Sequence, residues 1–113
     1  MQGVLRRACW KAGATSLLAS VAMVVAAGQP VTHRVVIENM RFEPATLKVH
    51  AGDLIVWVNK DLFPHTVTAS SGNLKSGSIA ASATWSFRAN RVGIYAYICS
   101  FHPVMQGRVE VQP

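Results

Sequence analysis

Short runs of alternating apolar and polar residues follow one another from residue 31 to the C-terminus, and they predict β-strands separated by turns. No segment after residue 28 keeps a helical period for more than a turn or two, and the Gly/Ser-rich stretch 70–83 predicts a loop. The predicted strands are 31–38, 45–53, 54–59, 65–69, 84–89, 93–99 and 107–113. About seven short strands in one small domain predict an all-β sandwich with Greek-key connections.

The last two predicted strands show how the side chains divide between the two faces of a strand. In 93–99, Tyr95, Tyr97 and Cys99 alternate with smaller or aliphatic residues and so share one face. In 107–113, Val109 and Val111 are expected to point inward. The pattern therefore predicts that Cys99 ends a strand on the face that carries the two tyrosines.

The first 27 residues have the three parts of a secretory signal peptide. Arg6 and Arg7 lie in a basic start, an apolar run follows, and the run closes on small residues at Ala27. A retained membrane anchor is the alternative, although the run is short for a span of about 20 residues. We therefore predict a signal peptide at 1–27, exported by the Sec or the twin-arginine route, and one domain at 28–113.

Composition narrows the classes of function for the predicted mature domain. Eight lysines and arginines against five acids give a net charge of about +3, and the cations are scattered. This distribution argues against nucleic-acid binding, which needs a clustered basic surface. Cys9 would leave with the leader, so Cys99 would remain alone in an oxidising compartment. Such a cysteine forms an intermolecular disulfide, is an inert buried thiol, or is a ligand.

The stretch "YICSFHPVMQG" sets three potential metal donors at short spacing. Cys99, His102 and Met105 follow one another at intervals of three residues, and His65 lies upstream in "NKDLFPHTV". Two imidazoles, a thiolate and a weak axial thioether are the donor set of a copper electron-transfer site. A structural zinc site would instead use four strong N, S or carboxylate donors.

Each donor taken alone also has an ordinary explanation. Cys99 alone would be a buried thiol and Met105 a core residue, and histidines in turns are commonly exposed. The other two histidines, His33 and His50, lack neighbours of this kind and are predicted to lie at the surface.

Two segments carry a resemblance to a known family. "FEPATLKVHAGDLIVWVNKDLFPHTV" (42–67) and "GIYAYICSFHPVMQGRVEV" (93–111) resemble the cupredoxins, the small blue copper proteins. The short spacing from His102 to Met105, with Pro103 between them, is most similar to the amicyanins; plastocyanins and pseudoazurins have a longer loop there. The resemblance implies an eight-stranded, two-sheet sandwich with the metal site at one end.

The resemblance also implies a role for each donor. His65, Cys99 and His102 would be the equatorial ligands of one type 1 copper ion, with Met105 as the axial ligand. Thr66 stands where the family often has an Asn that ties the two ligand loops together.

Residues next to these donors are expected to support them. Thr66 and Ser100 could offer hydrogen bonds near the sulfur, and second-shell donors of this kind tune metal sites. Pro64 and Pro103 would stiffen the two loops through their fixed φ.

Apolar residues beside the two histidines predict a docking patch for a redox partner. Leu62 and Phe63 precede His65, and Phe101 and Val104 flank His102. Exposed apolar patches on small domains are commonly contact sites, although ordinary packing of loop residues is the alternative. The cations considered as its rim are Arg41, Lys60 and Arg108.

These observations predict a monomeric single-electron carrier in the bacterial periplasm. A resemblance to amicyanins suggests an amine dehydrogenase as donor and a c-type cytochrome as acceptor. A copper storage or delivery protein with the same ligands is the alternative. We expect no enzyme, since a copper oxidase or nitrite reductase needs a further metal cluster and the chain has four histidines.

Overall fold

The computed structural model describes residues 3, 13–22 and 28–113. Cys9, the predicted cleavage point after Ala27 and most of the predicted signal peptide lie outside the described residues. Within the described residues, no helix is long and apolar enough to cross a bilayer.

Eight strands make up the regular structure of the described chain. They are β1 (Thr32–Glu38), β2 (Arg41–Glu43), β3 (Thr46–His50), β4 (Asp53–Asn59), β5 (Thr68–Ala69), β6 (Thr84–Ala89), β7 (Gly93–Cys99) and β8 (His102–Gln112). They form two four-stranded sheets, with the orders β2-β1-β4-β6 and β3-β8-β7-β5. The pairs β1–β4 and β3–β8 are parallel and the remaining neighbours are antiparallel. The predicted all-β, two-sheet sandwich is confirmed.

The hydrophobic core lies between the inner faces of the two sheets. β4 alternates between buried and half-buried residues along its whole length, as a central strand does. In β7, Tyr95, Tyr97 and Cys99, which were predicted to share a face, are all buried. In β8, Val109 and Val111 are buried, as predicted. The loop 70–83 also contributes buried side chains to this core.

An aromatic cluster joins the two sheets beneath the Cys99 end of β7. The ring of Tyr97 meets Phe42 edge-on at 4.8 Å and Trp57 at 5.8 Å between centroids. The Trp57 Nε1–H donates to the Tyr97 hydroxyl at 3.3 Å. Burial raises the pKa of Tyr97 to about 12. The Tyr97 ring fills the space that a Cβ on residue 107 would need, so only glycine fits at Gly107.

Three elements differ from the sequence prediction. β2 was not predicted, because it is three residues long and only Phe42 in it is buried. The predicted strand 65–69 is regular only at Thr68–Ala69, since the chain before it makes a single bridge from His65 to Ile79. β8 begins at His102 rather than at residue 107, because a tight hairpin pairs Cys99 with His102.

Candidate metal centre

The four predicted donors come from two connections at the same end of the sandwich. His65 lies in the connection from β4 to β5, Cys99 is the last residue of β7, and His102 opens β8. The register between β7 and β8 shifts here. Ile98 pairs with Gln106 but the next residue, Cys99, pairs with His102, so one step on β7 corresponds to four residues on β8. The extra residues form a bulge that ends at Met105, so the hairpin keeps Cys99 and His102 opposite each other.

Cys99 and His65 are in contact with each other. The distance from Cys99 Sγ to His65 Nδ1 is 3.7 Å, and both residues are fully buried. The rings of His65 and His102 lie 5.6 Å apart between centroids, at an angle of 61°. His102 is half-buried and Met105 is buried. The fold therefore brings a thiol, two imidazoles and a thioether to one end of the molecule.

The contact between sulfur and nitrogen has the spacing expected of two ligands on one ion. A thiolate and an imidazole bound through about 2.3 Å and about 2.0 Å at a trigonal angle have donor atoms about 3.7 Å apart. The observed separation of Cys99 Sγ and His65 Nδ1 is 3.7 Å. In the part of the chain that the structure describes, no three His, Cys, Asp or Glu side chains already surround a common point. The argument that these residues can hold a metal ion therefore rests on the distance between Cys99 and His65 and on the donor types of His102 and Met105.

Thr66 connects the two segments that carry the donors. Its backbone N–H donates to Cys99 Sγ at 3.3 Å, and its hydroxyl accepts the Ser100 N–H at 2.8 Å. The same hydroxyl also lies 2.9 Å from the hydroxyls of Ser100 and Thr68. A threonine therefore links the two loops, and the hydroxyl and N–H of Ser100 both contact the Thr66 hydroxyl.

Asp61 is a residue of this end that sequence reasoning missed. Its Oδ2 lies 2.8 Å from His65 Nε2, and its carboxylate also accepts the backbone N–H groups of Asn39 at 2.7 Å and Met40 at 3.0 Å. Desolvation acts to raise the pKa of Asp61, but the hydrogen bonds from Met40, His65 and Asn39 outweigh it and lower that pKa. The signal in the sequence was only an acid four residues before a histidine, which is common in turns.

Asn59 is the second residue that was missed, and it shapes the loop that carries Asp61. Its amide nitrogen donates to the carbonyls of Phe63 at 2.8 Å and Ile79 at 3.0 Å, and its Oδ1 accepts the Asp61 N–H at 3.0 Å. Asn59 is fully buried, so these bonds fix the path of residues 60–64 at the end of β4.

The apolar residues predicted as a docking patch are exposed. Exposed fractions are 89% for Leu62, 62% for Phe63, 51% for Phe101 and 90% for Val104. Met40, which was not predicted, is 38% exposed and lines the same shallow surfaces as Leu62 and Val104. We call these five residues the apolar end surface.

Two of the three cations considered for its rim lie at this end. Arg41 and Lys60 line the same surface depressions as Met40. Arg108 pairs with Ala96 on β7 and with Thr46 on β3. Its Nε contacts Glu110 at 3.1 Å, so Arg108 belongs to the outer face of its sheet.

Comparisons with known proteins identify the family of the chain. The chain matches the cupredoxin-like domain family over residues 10–111. It is 31% identical over 105 residues to amicyanin-alpha of Methylorubrum extorquens, covering 88% of each chain. It is 30% identical over 112 residues to amicyanin of Paracoccus denitrificans, covering 88% of this chain and 86% of that one.

Solved structures of amicyanin variants have the same fold. One variant with Cu(I) superposes with a TM-score of 0.68 at 30% identity, covering 72% of this chain and 82% of that one. A second variant in the reduced state gives a TM-score of 0.67 at 32% identity, with the same coverage. The chain therefore belongs to the cupredoxin-like family, and its similarity within that family is to the amicyanins.

Proposed function

We propose that this protein is a periplasmic single-electron carrier that holds one type 1 copper ion through His65, Cys99, His102 and Met105. The observation that carries the proposal is the buried contact of Cys99 Sγ with His65 Nδ1 at 3.7 Å, in a chain of the cupredoxin-like family. The related proteins at about 30% identity are named amicyanins, and a plastocyanin of Scenedesmus fuscus is 29% identical over 84 residues.

The donor types favour copper over zinc. One thiolate, two imidazoles and a weak thioether suit copper, whereas zinc would take a fourth strong donor. A copper ion bound there would supply a one-electron couple between Cu(II) and Cu(I). The contribution of the chain is to keep Cys99 and His65 in one arrangement for both valences, because a donor set that moved would slow each transfer.

The hydrogen bonds around the donors support that rigidity. Thr66 joins the His65 segment to the Cys99 segment, and its backbone N–H faces the sulfur. Hydrogen bonds to a ligand sulfur stabilise its negative charge and so tune the metal that it binds. Pro64 and Pro103 restrict the backbone beside the two histidines.

We infer that redox partners dock on the apolar end surface. His102 is half-buried, whereas His65, Cys99 and Met105 are buried. It is therefore the donor residue most accessible to solvent, and the exposed Phe101 and Val104 flank it in the sequence. Redox encounters use small, transient interfaces, which an exposed surface of five apolar residues can supply. An amine-dehydrogenase donor and a c-type cytochrome acceptor are the partners that the similarity to amicyanins suggests.

The remaining parts of the proposal concern the cell and the assembly. A cleaved signal peptide at 1–27 would deliver a monomeric domain, 28–113, to the periplasm. The scattered charge of this domain gives no basis for nucleic-acid binding. The role is that of a carrier and involves no chemical turnover of a substrate.

A visible spectrum tests the proposal. The full chain, produced in a host that exports it and loaded with Cu(II), is expected to turn intensely blue through thiolate-to-copper charge transfer. Cys99→Ser should abolish the band, while Ser100→Ala, one residue away, should keep it. A colourless wild type that takes zinc as readily would reject the copper centre. Rapid surrender of copper to a competing protein, with slow electron self-exchange, would replace the carrier role with copper delivery.

A further inference from the structure

Asp61 holds one side of the His65 ring while Cys99 faces the other side. The carboxylate Oδ2 lies 2.8 Å from His65 Nε2, and Cys99 Sγ lies 3.7 Å from His65 Nδ1. His65 is fully buried, so its two ring nitrogens meet protein atoms rather than water. The ring therefore has one partner that is a carboxylate and one that is a thiol.

These partners determine which ring nitrogen carries the proton. An ionised carboxylate can only accept a hydrogen bond, so the His65 Nε2 must be the donor. In the neutral ring the lone pair is then on Nδ1, which is the atom beside the Cys99 sulfur. The hydrogen bond to Asp61 thus selects the tautomer that can bind a metal on the sulfur side.

Asp61 is itself held in place from three directions. Its backbone N–H donates to Asn59 Oδ1 at 3.0 Å, and its carboxylate accepts the N–H groups of Asn39 and Met40. Asn39 and Met40 form the two-residue turn between β1 and β2, with φ values of 53° and 59°. Positive φ at both positions is unusual for residues other than glycine, and the Asp61 carboxylate stabilises the turn. The carboxylate is therefore a fixed acceptor and not a mobile surface acid.

We propose that Asp61 is a positioning residue of the copper centre: its carboxylate fixes the orientation and tautomer of His65 and so strengthens copper retention and lowers the reduction potential. This inference rests on the proposed function. Metal-binding histidines commonly donate their other N–H to a carboxylate, and losing that partner weakens metal affinity 10- to 100-fold. A fixed negative charge also favours the more positive Cu(II) form over Cu(I), which lowers the potential.

The first experiment uses the metal-free wild-type protein and so is independent of copper. Nitrogen-15 NMR of the histidine rings is expected to show His65 with its proton on Nε2, and this proton should exchange slowly with solvent. A His65 ring protonated on Nδ1 would overturn the proposal, whatever the behaviour of any variant.

The second experiment compares copper-loaded variants. Asp61→Asn is expected to release copper to a chelator about tenfold faster or more and to raise the reduction potential. Asp61→Glu, which keeps the charge and an acceptor, should recover most of the retention. Asp53→Asn is the matched control, since Asp53 also accepts a hydrogen bond from a histidine but lies at the other end of β4.

The outcomes separate this inference from the proposed function. If wild type forms no blue centre, the proposed function fails. If wild type forms the centre and Asp61→Asn keeps the same potential and copper release rate, the Asp61 proposal fails alone. Equal changes in Asp61→Asn and Asp53→Asn would assign the effect to general stability and would also overturn it.

Discussion

His65 and Asp61 at one end of the sandwich, and His33 and Asp53 at the other, form two pairs with the same Nε2–Oδ2 distance of 2.8 Å. Their surroundings differ. His65 is fully buried against the Cys99 sulfur, whereas the His33 side chain is 22% exposed. On the proposed function, only the first of these histidine–aspartate pairs serves a metal site. The atom facing the second ring nitrogen decides whether the pair can serve one.

The second pair has a structural task instead. The Asp53 carboxylate accepts the N–H groups of Val31 at 2.9 Å and His50 at 2.9 Å, as well as the hydrogen bond from His33. These bonds, from Val31 first and then from His33 and His50, hold the pKa of Asp53 far below its ordinary value. Asp53 thereby ties the start of β1 to the turn between β3 and β4.

Asp53→Asn is expected to give the largest loss of stability among the variants that leave the metal donors intact. Because the folded pKa is lowered, the carboxylate stabilises the fold fully above its unfolded pKa of about 4, and this stability is lost as the pH falls below that value. The Tm difference between wild type and Asp53→Asn should be large at pH 7 and should shrink towards pH 3. A difference that is constant or grows in acid would contradict this role.

Thr66→Val tests how much hydrogen bonding at the copper end contributes to the stability of the fold. It removes the hydroxyl that accepts the Ser100 N–H and keeps the backbone N–H that faces the Cys99 sulfur. The free energy of unfolding of the metal-free protein should fall by about 1–3 kcal/mol, since a donor loses its acceptor inside the protein. Urea titration measures this change. Thr84→Val, at an exposed position of β6, is the control and should change it by less than about 0.5 kcal/mol.

Phe101→Lys compares the two ends as docking surfaces. A charge inside the apolar end surface should slow electron transfer to a partner about tenfold, the loss expected when a central contact residue is removed, and should leave the visible spectrum unchanged. Ile94→Lys is the matched control, because Ile94 is 60% exposed but lies at the opposite end of β7. Equal rates for the two variants in stopped-flow kinetics would remove the docking role from the apolar end surface.

His33→Ala is expected to have the smallest effect. It removes one of three hydrogen bonds to Asp53 and should cost about 1 kcal/mol of unfolding free energy. Copper stoichiometry, measured by calorimetry, should stay at one ion per chain. A fall in stoichiometry would show that His33 binds metal and that the two ends are chemically alike.

The sequence predicted the strands whose own residues alternate between apolar and polar. The alternation in 93–99 correctly grouped the residues that share a face, and the alternation in 107–113 correctly identified the buried valines, because side chains on one face repeat every second residue in a strand. The start of β8 at His102 could not be found in this way. It depends on pairing with Cys99 across a hairpin, and the bulge there interrupts the alternation.

The four candidate donors and Thr66 could be found from the sequence, and Asp61 could not. Cysteine, histidine and methionine at short spacing stand out by residue type, but Asp61 acts on His65 and on two backbone N–H groups that have no sequence signature. The same limit applies to His33, which was expected at the surface and is half-buried against Asp53. His50, the other histidine expected there, is exposed.

The most direct test is an anomalous difference map at the copper edge from crystals of the copper-loaded protein. We expect one peak, about 2.3 Å from Cys99 Sγ and about 2.0 Å from His65 Nδ1, with the His65 Nε2 still bonded to Asp61. A peak beside His33 and Asp53, or no peak within bonding distance of both Cys99 and His65, would contradict the account.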